Sequence, residues 1–264
     1  MSAPKSAPPP SPGSSHPFLD HPRPIPFAHR GIGEGVTENT AAAFEAVAAL
    51  GYRYVETDVR TTRDGRLVVL HDRSLARVFG VRRDVRDLTW RELRTAAGDV
   101  SLLTDVLEHF PDLRFNVDLK DDAGVPAMAA VLASTRVHDR VCVASFSERR
   151  LMQVRRLVGP GLCTGFGVRR GVEFAASTLL GVGAEWVRRR GGAVIQAPFR
   201  MGGVGVTRSR FVAQAQRLGL QYHVWTLDDV ASIRAALDVG VDGIMTDAPL
   251  LLRAELRSRG LWVG

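Results

Sequence analysis

The sequence predicts an α/β fold, and its count of strands favours an eight-stranded parallel barrel of the TIM type. Short β-rich runs alternate with helical patterns that end at a glycine, as in "ENTAAAFEAVAALG" and "DDVASIRAALDVG". Repeats of strand, helix, glycine and strand are typical of a parallel sheet. Nine β-rich runs occur, and one connection between them is too short to hold a helix. Eight parallel strands then remain over about 240 residues, although this pattern alone also allows a doubly wound sheet.

The nine predicted strands are short and follow one another along the whole chain after its first 24 residues. They are Pro26–His29, Tyr52–Thr61, Leu67–His71, Arg114–Leu119, Arg140–Phe146, Leu162–Gly167, Ala193–Ala197, Gln221–Leu227 and Asp242–Thr246.

The second and third strands are predicted to form an antiparallel hairpin, because a parallel crossover needs about a dozen residues or more. We place Asp64 and Gly65 at its tip as a two-residue turn. That turn predicts that Asp58 pairs directly with His71, and directly opposed residues share a face of the sheet. Glu56 shares this face because it precedes Asp58 by two residues. A longer turn would change the register.

The first 24 residues differ from the rest in composition. They hold eight of the fourteen prolines and little apolar mass. Because proline fixes φ and removes a backbone donor, this composition predicts a disordered tail over residues 1–24. A single barrel domain is predicted over residues 25–264.

The chain is basic, with a formal net charge of +7. Its arginines are scattered apart from residues 188–190, with no basic helix or zinc-finger spacing, so a nucleic-acid partner is not predicted.

No run of about 18 apolar residues indicates a transmembrane segment. Cys142 and Cys163 lie in apolar runs and predict buried free thiols in a reducing compartment. With no apolar leader at the N-terminus, this predicts a cytoplasmic location. The oligomeric state stays open.

Charged and imidazole side chains stand at the ends of three predicted strands. The strand ends of a parallel barrel meet at one face, so these side chains are expected to lie together. Carboxylates suit Mg²⁺ or Ca²⁺, two histidines suit acid–base catalysis, and arginine and lysine suit phosphate oxygens. The set predicts metal-assisted cleavage of a phosphate ester, and its members are His29, Arg30, Glu56, Asp58, His71, Asp118 and Lys120.

In this order the motifs resemble those of the glycerophosphodiester phosphodiesterase family over about residues 26 to 250. They are "AHRG", "ENT", "VETDVRTTRDGRLVVLHD", "VDLK", "SF", "HVWT" and "DGIMTDAP". The resemblance implies a TIM (β/α)8 barrel of the PLC-like phosphodiesterase type, with the hairpin after strand 2 and the site at the carboxyl ends of the strands.

The resemblance also implies roles for individual residues. His29 and His71 would be the catalytic acid–base pair, and Glu56, Asp58 and Asp118 would hold the divalent cation. Arg30 and Lys120 would contact the phosphate, and Trp225 would form a wall for the alcohol, with core packing as the alternative. Asn39 would order the first loop, with helix capping as the alternative.

Two departures from the family pattern bear on specificity. Asp118 stands where many relatives have Glu, so its carboxylate is one methylene shorter. The segment after "LHD" is shorter than in many relatives, which predicts a small or absent lid. The implied reaction is hydrolysis of a small-molecule glycerophosphodiester to glycerol 3-phosphate and an alcohol. The alternatives are a related phosphodiesterase or phospholyase acting on lysophospholipid or other lipid head groups, and a non-catalytic barrel that binds a phosphate ligand.

Overall fold

Eight parallel strands form the centre of the molecule in a computed structural model that describes residues 16–33, 35–202 and 204–263. Starting from the sixth strand, neighbours in the sheet are β6, β5, β4, β2, β1, β11, β10 and β7. The strands are β1 Ile25–His29, β2 Tyr54–Thr61, β3 Leu67–Val69, β4 Arg114–Leu119, β5 Val141–Ala144, β6 Cys163–Thr164, β7 Val194–Pro198, β8 Arg200–Met201, β9 Val204–Gly205, β10 Gln221–Trp225 and β11 Gly243–Thr246.

The ring of strands closes between β6 and β7. Gly165 forms a parallel bridge with Val194. The Phe166 N–H donates to the Val194 carbonyl (2.9 Å), and the Ala193 N–H donates to the Thr164 carbonyl (2.8 Å). The predicted TIM barrel is therefore confirmed. The structure adds one element that the sequence reasoning missed, the small antiparallel pair of β8 and β9.

The helices follow the predicted alternation with the strands. The helix predicted in "ENTAAAFEAVAALG" begins after Thr40, whose side chain accepts from the Ala43 N–H. The helix predicted in "DDVASIRAALDVG" ends at Gly240, which is in the left-handed conformation. The helices are α1 Ala41–Ala49, α2 Ala76–Phe79, α3 Trp90–Ala96, α4 Leu103–His109, α5 Gly124–Thr135, α6 Glu148–Val158, α7 Val168–Leu180, α8 Ala184–Arg189, α9 Ser209–Arg217, α10 Val230–Val239 and α11 Pro249–Ser258.

The hairpin between β2 and β3 is confirmed, but its predicted two-residue turn is wrong. Thr61 pairs with Leu67, and the Thr62 N–H donates to the Arg66 carbonyl (2.9 Å), so the loop is longer. Asp64 ties this turn to the start of α3, because it accepts from the Thr62 hydroxyl (2.6 Å) and from the Trp90 N–H (3.0 Å).

The longer turn shifts the register by one residue. The Leu70 N–H, rather than that of His71, donates to the Asp58 carbonyl, at 2.9 Å. The predicted pairing of Asp58 with His71 is therefore wrong. His71 still reaches the same cavity, because β3 ends at Val69 and the chain then bends.

Residues 16–24 are packed against the barrel, so the boundary predicted for the disordered tail falls too late. Phe18 and Leu19 are buried in the lower interior of the barrel. The Tyr54 hydroxyl donates to the Phe18 carbonyl (2.7 Å), and Arg23 pairs with Asp242 (2.7 Å). Burial of the apolar side chains of Phe18 and Leu19 stabilises the packing of this segment, although its high proline content predicted disorder. Residues 1–15 lie outside the described residues, and the disorder predicted for them stays a prediction.

The segment after "LHD" packs beside the hairpin and leaves the barrel mouth uncovered. Its helices α2 and α3 enclose a separate apolar cluster that includes Val68, Leu70, Leu88 and Leu93. Among the described residues, none from 72 to 115 lines the cavity at the barrel mouth. This agrees with the expected small lid. Cys142 and Cys163 are both free and buried, as predicted.

His223 is a buried polar side chain in the barrel interior and has a consequence for acid stability. Its Nε2 lies 2.8 Å from Gln221 Oε1, and burial lowers the pKa of the imidazole to about 3. The unfolded chain takes up a proton near pH 6.5 that the folded protein excludes, so the free energy of unfolding falls as pH drops from about 6.5 towards 3. At pH 4.5 the loss is about 2–3 kcal/mol.

Urea unfolding at pH 7 and pH 4.5, compared with the His223→Gln variant, measures this effect. Wild type is expected to lose about 2–3 kcal/mol more than the variant between these two pH values. An equal loss in both proteins would contradict the buried neutral imidazole.

Candidate active site

Strand register gathers the polar side chains into adjacent layers of the barrel. In the parallel pairing of β1, β2 and β4, His29 lies beside Glu56, and Glu56 lies beside Asn116. One layer higher, Asp58 lies directly beside Asp118. Paired residues of neighbouring strands share a face, so these side chains all point into the barrel mouth.

Lys120 lies between two of the predicted metal ligands. Its ammonium is 2.7 Å from Asp58 Oδ1 and 2.6 Å from Asp118 Oδ2. Burial by itself would lower the pKa of Lys120, but the two carboxylates outweigh it and raise that pKa. Burial likewise would raise the pKa of Asp58, but Lys120 and Arg30 outweigh it and lower that pKa.

The loop after β1 holds Asp58 from the other side. Arg30 Nε lies 3.1 Å from Asp58 Oδ2, and the Asn39 side chain donates to the same oxygen at 3.1 Å. Thr57 donates to the Asn39 side-chain carbonyl at 2.7 Å, which fixes the orientation of the amide. Asn39 thus orders this loop, and Thr40 is the residue that caps α1.

Gly31 lets this loop pass close to α1. It has a φ of +64°, and an added Cβ would lie 2.7 Å from a ring carbon of Phe44. A side chain at this position would therefore displace the loop that carries Arg30.

Each predicted catalytic histidine has a carboxylate on its Nδ1. For His29 this partner is Asp247 at 2.6 Å, and for His71 it is Asp72 at 2.7 Å. Such a partner fixes the tautomer and leaves Nε2 for chemistry. The sequence reasoning gave no role to Asp247 or Asp72. The signal was present, since both lie within the motifs "TDAP" and "LHD".

The two histidine pairs differ in their surroundings. His29 Nε2 also lies 3.6 Å from Glu56 Oε2. Burial would lower the pKa of His29, but Glu56 and Asp247 outweigh it and raise that pKa. On the other side, a hydrogen bond from Arg77 lowers the pKa of Asp72 to about 2, so Asp72 is ionised beside His71.

A chain of ion pairs connects the His71 side of the mouth to Arg30. Arg77 donates to Asp72 (2.6 Å) and to both oxygens of Glu38 (2.6 and 2.9 Å). Glu38 in turn accepts from Arg30 at 3.2 Å. Glu38 is the first residue of the motif "ENT", and these contacts give it a structural role.

Glu56 and Asp118 each have a buried carboxylate oxygen, Oε2 and Oδ1 respectively, without a hydrogen-bond partner. Burial and the neighbouring Asp58 raise the pKa of Glu56 to about 8. Unpaired oxygens in a set of three carboxylates are what a hard cation would satisfy. As the side chains lie, however, no three His, Cys, Asp or Glu residues in the described part of the chain are gathered closely enough to hold an ion. Lys120 occupies the space between two of them.

A cavity of about 670 Å³ opens above these residues and has two chemically different walls. One wall carries the charged set at the ends of β1, β2 and β4. The opposite wall is apolar, and its residues include Phe146, Phe166, Val168, Val172, Pro198, Met201 and Trp225.

Trp225 lies on the apolar wall at the edge of the charged set. Its ring packs against Phe146 with 5.9 Å between centroids. The structure thus places the predicted side chain in the cavity, and its contact with an alcohol stays a prediction. Between the two walls, Gln196 donates to the Asn116 side chain across the barrel at 2.8 Å. Neither polar residue was singled out from the sequence.

The sequence model of the glycerophosphoryl diester phosphodiesterase family matches residues 29–251, which hold every one of these site residues. The chain belongs to this family. It is 39% identical over 253 residues to a Mycobacterium tuberculosis protein named probable glycerophosphodiester phosphodiesterase 2, a match that covers 94% of this chain and 96% of that protein.

Two further proteins resemble the chain at lower identity. The Homo sapiens protein named lysophospholipase D GDPD1 is 26% identical, covering 88% of this chain and 86% of its own. A Silicibacter pomeroyi crystal structure described as a putative glycerophosphoryl diester phosphodiesterase has the same fold, with a TM-score of 0.77 at 24% identity. That match covers 93% of this chain and 98% of the other.

Proposed function

We propose that this protein hydrolyses glycerophosphodiesters to glycerol 3-phosphate and an alcohol, in a metal-dependent reaction with His29 and His71 as the acid–base pair. The observation that carries this proposal is the pairing at the cavity. Each imidazole lines the cavity and has its Nδ1 beside a carboxylate, while Arg30 and Lys120 provide positive charge on the same wall.

The two imidazoles divide the proton transfers. An oxygen attacks phosphorus, and the bond from phosphorus to the alcohol oxygen breaks. One histidine takes the proton of the attacking oxygen, and the other gives a proton to the departing alkoxide. Asp247 and Asp72 hold the two rings in the orientation that these transfers need.

Arg30 and Lys120 face the negative charge of the phosphate. Their positive charges compensate the charge that develops on the phosphate oxygens during displacement. Glu56, Asp58 and Asp118 are the residues that would hold Mg²⁺ or Ca²⁺. When bound, such a cation supplies polarisation of the phosphate. Lys120 lies between Asp58 and Asp118, on the same charged wall as Arg30.

Asp247→Asn is expected to lower kcat by about tenfold or more, because the amide no longer holds the His29 imidazole in its tautomer. KM is expected to change little, since Asp247 acts through His29. Steady-state kinetics on glycerophosphocholine measure both constants, and Asp247→Glu should recover part of the loss. An unchanged kcat in Asp247→Asn would contradict this positioning role.

A second candidate substrate class is favoured by the apolar wall of the cavity. Phe146, Val172 and Met201 line the cavity and are more than half exposed in the absence of a ligand. A lysophospholipid would place its acyl chain there and its phosphodiester at the charged wall. Burial of such a chain contributes about 0.8 kcal/mol per CH₂ group.

One assay with three substrates tests the proposal. Glycerophosphocholine, glycerophosphoethanolamine and a lysophospholipid are incubated with enzyme and Mg²⁺ or Ca²⁺, and the products are identified. The proposed reaction predicts glycerol 3-phosphate from the first two substrates. Faster turnover of the lysophospholipid, or a cyclic phosphate as its end product, would instead favour the second candidate. Absence of turnover with all three substrates would contradict the proposal.

A further inference from the structure

Helix α7 presents several apolar side chains to solvent. Val168, Val172 and Leu179 recur at helical spacing and lie on one face of the helix, and all three are exposed. The opposite face is buried and carries Arg170, Phe174 and Ser177, and Phe174 belongs to an apolar core cluster. The helix thus packs one apolar side chain into the core and leaves others exposed, where a surface helix of a globular protein normally carries polar side chains.

The buried face makes its contacts within the protein. Arg170 is 0% exposed and lies 3.3 Å from Glu148. Its guanidinium also stacks on the Phe166 ring at 4.0 Å. This buried ion pair and the burial of Phe174 lie on one face of α7, and Val168, Val172 and Leu179 lie on the other.

The exposed apolar face continues beyond the helix into α8. Leu180 is 74% exposed, Val182 is 66% exposed and Trp186 is 59% exposed. At its other end the face reaches the cavity, since Val168 and Val172 line the mouth. We call this the α7–α8 surface, and its residues are Val168, Val172, Leu179, Leu180, Val182 and Trp186.

Positive charge accompanies the α7–α8 surface. Of the five arginines in residues 168–190, Arg170 is buried and four are at least partly exposed, against two glutamates. Arg169 and Arg190 both pair with Glu173 (3.0 and 2.7 Å), and Arg188 pairs with Glu185 (3.0 Å), so the surface keeps an excess of positive charge. Arg188 and Arg189 are exposed beside Trp186, and Arg190 stacks on the Trp186 ring at 4.7 Å. An exposed tryptophan and leucines next to arginines are typical of segments that lie in the interface of an anionic bilayer.

We propose that the α7–α8 surface docks on anionic phospholipid bilayers, with its apolar side chains in the interface and its arginines on the head groups. A second copy of the chain is a poorer occupant, because two such surfaces would bring like charges together. The docked orientation places the cavity mouth at the lipid surface. The proposal goes beyond the proposed hydrolysis and does not depend on it.

Vesicle co-sedimentation tests the proposal directly. Wild type is expected to bind vesicles in which about a third of the lipid is phosphatidylglycerol more strongly than pure phosphatidylcholine vesicles, and to lose binding as salt rises. The double variant Leu180→Ser/Trp186→Ser is expected to bind anionic vesicles more weakly than wild type by about tenfold or more. Arg188→Gln/Arg189→Gln should weaken binding by about tenfold or more.

Leu250→Ser is the matched control, because Leu250 is 55% exposed on α11, lies outside the α7–α8 surface and does not line the cavity. It should bind like wild type. Thermal melting of each variant verifies the fold. Three outcomes would overturn the proposal. They are absence of wild-type binding to anionic vesicles, full binding by the Leu180→Ser/Trp186→Ser variant, and a wild-type dimer that this variant alone converts to monomer.

Discussion

Alanine at His29 or at His71 is expected to lower the turnover of glycerophosphodiesters by about 10²- to 10⁴-fold, the usual contribution of general acid–base catalysis. Each substitution should lower turnover by this much, because one histidine removes a proton and the other delivers one. The double variant should lose little more than the worse single variant, because residues that act as a unit are not additive.

The fold should survive either substitution. His29 is the last residue of β1 and His71 follows the end of β3; both line an open cavity, and neither belongs to an apolar cluster. His109→Ala is the matched control, because His109 is exposed on α4 and does not line the cavity. It should keep wild-type turnover. Turnover near that of wild type in His29→Ala or His71→Ala would contradict the assignment.

Removal of divalent cations with EDTA is expected to lower turnover by about a hundredfold or more, and Mg²⁺ or Ca²⁺ should restore it. The physical reason is charge. Glu56, Asp58 and Asp118 face a substrate that is itself anionic, and two of their buried oxygens have no hydrogen-bond partner. A bound cation would satisfy these oxygens and would reduce the repulsion of the phosphate.

A readout independent of activity accompanies the EDTA experiment. A ligand that binds only the folded protein raises its melting temperature. Mg²⁺ or Ca²⁺ is expected to raise that of wild type and to have a smaller effect on Glu56→Gln and Asp118→Asn. Full activity in EDTA, together with no thermal response to either cation, would contradict the role proposed for the three carboxylates.

The barrel could be predicted from the sequence because its signal is local and repeated. Most βα units carry their own β-rich run, helical pattern and terminal glycine, so the count of strands favours eight. The ordered segment around Phe18 and Leu19 could not be predicted in the same way. Its packing depends on contacts with Tyr54 and Gln221, far away in the sequence.

The charged residues and histidines that line the cavity were singled out from the sequence, but one of the arguments for them was wrong. The pairing of Asp58 with His71 rested on a two-residue turn, and the contacts of Asp64 with Thr62 and Trp90 make the turn longer. What brings the carboxylates together is the parallel register of β2 with β4, which places Asp58 beside Asp118. The register between two strands that are distant in the sequence depends on the tertiary fold, so the motifs alone do not show which residues pair.

The apolar wall and the α7–α8 surface were beyond sequence reasoning for a related reason. The pattern of α7 alone shows an amphipathic helix, and it would place Val168 and Val172 in the core. Instead Phe174 and the ion pair of Arg170 with Glu148 are on the buried face, and this pair depends on the position of α6. Only the structure shows that Val168 and Val172 are exposed.

The product of glycerophosphocholine hydrolysis, followed by ³¹P NMR with Mg²⁺ or Ca²⁺ present, tests the central claim most directly. In the proposed reaction the charged wall holds the phosphate and the acid–base pair cleaves the bond to the alcohol, so the predicted products are glycerol 3-phosphate and choline. Formation of phosphocholine and glycerol would mean that the other ester bond is cleaved, and would contradict the proposed placement of the substrate. An unchanged spectrum with tight binding of glycerol 3-phosphate would contradict catalysis and favour a phosphate-binding barrel.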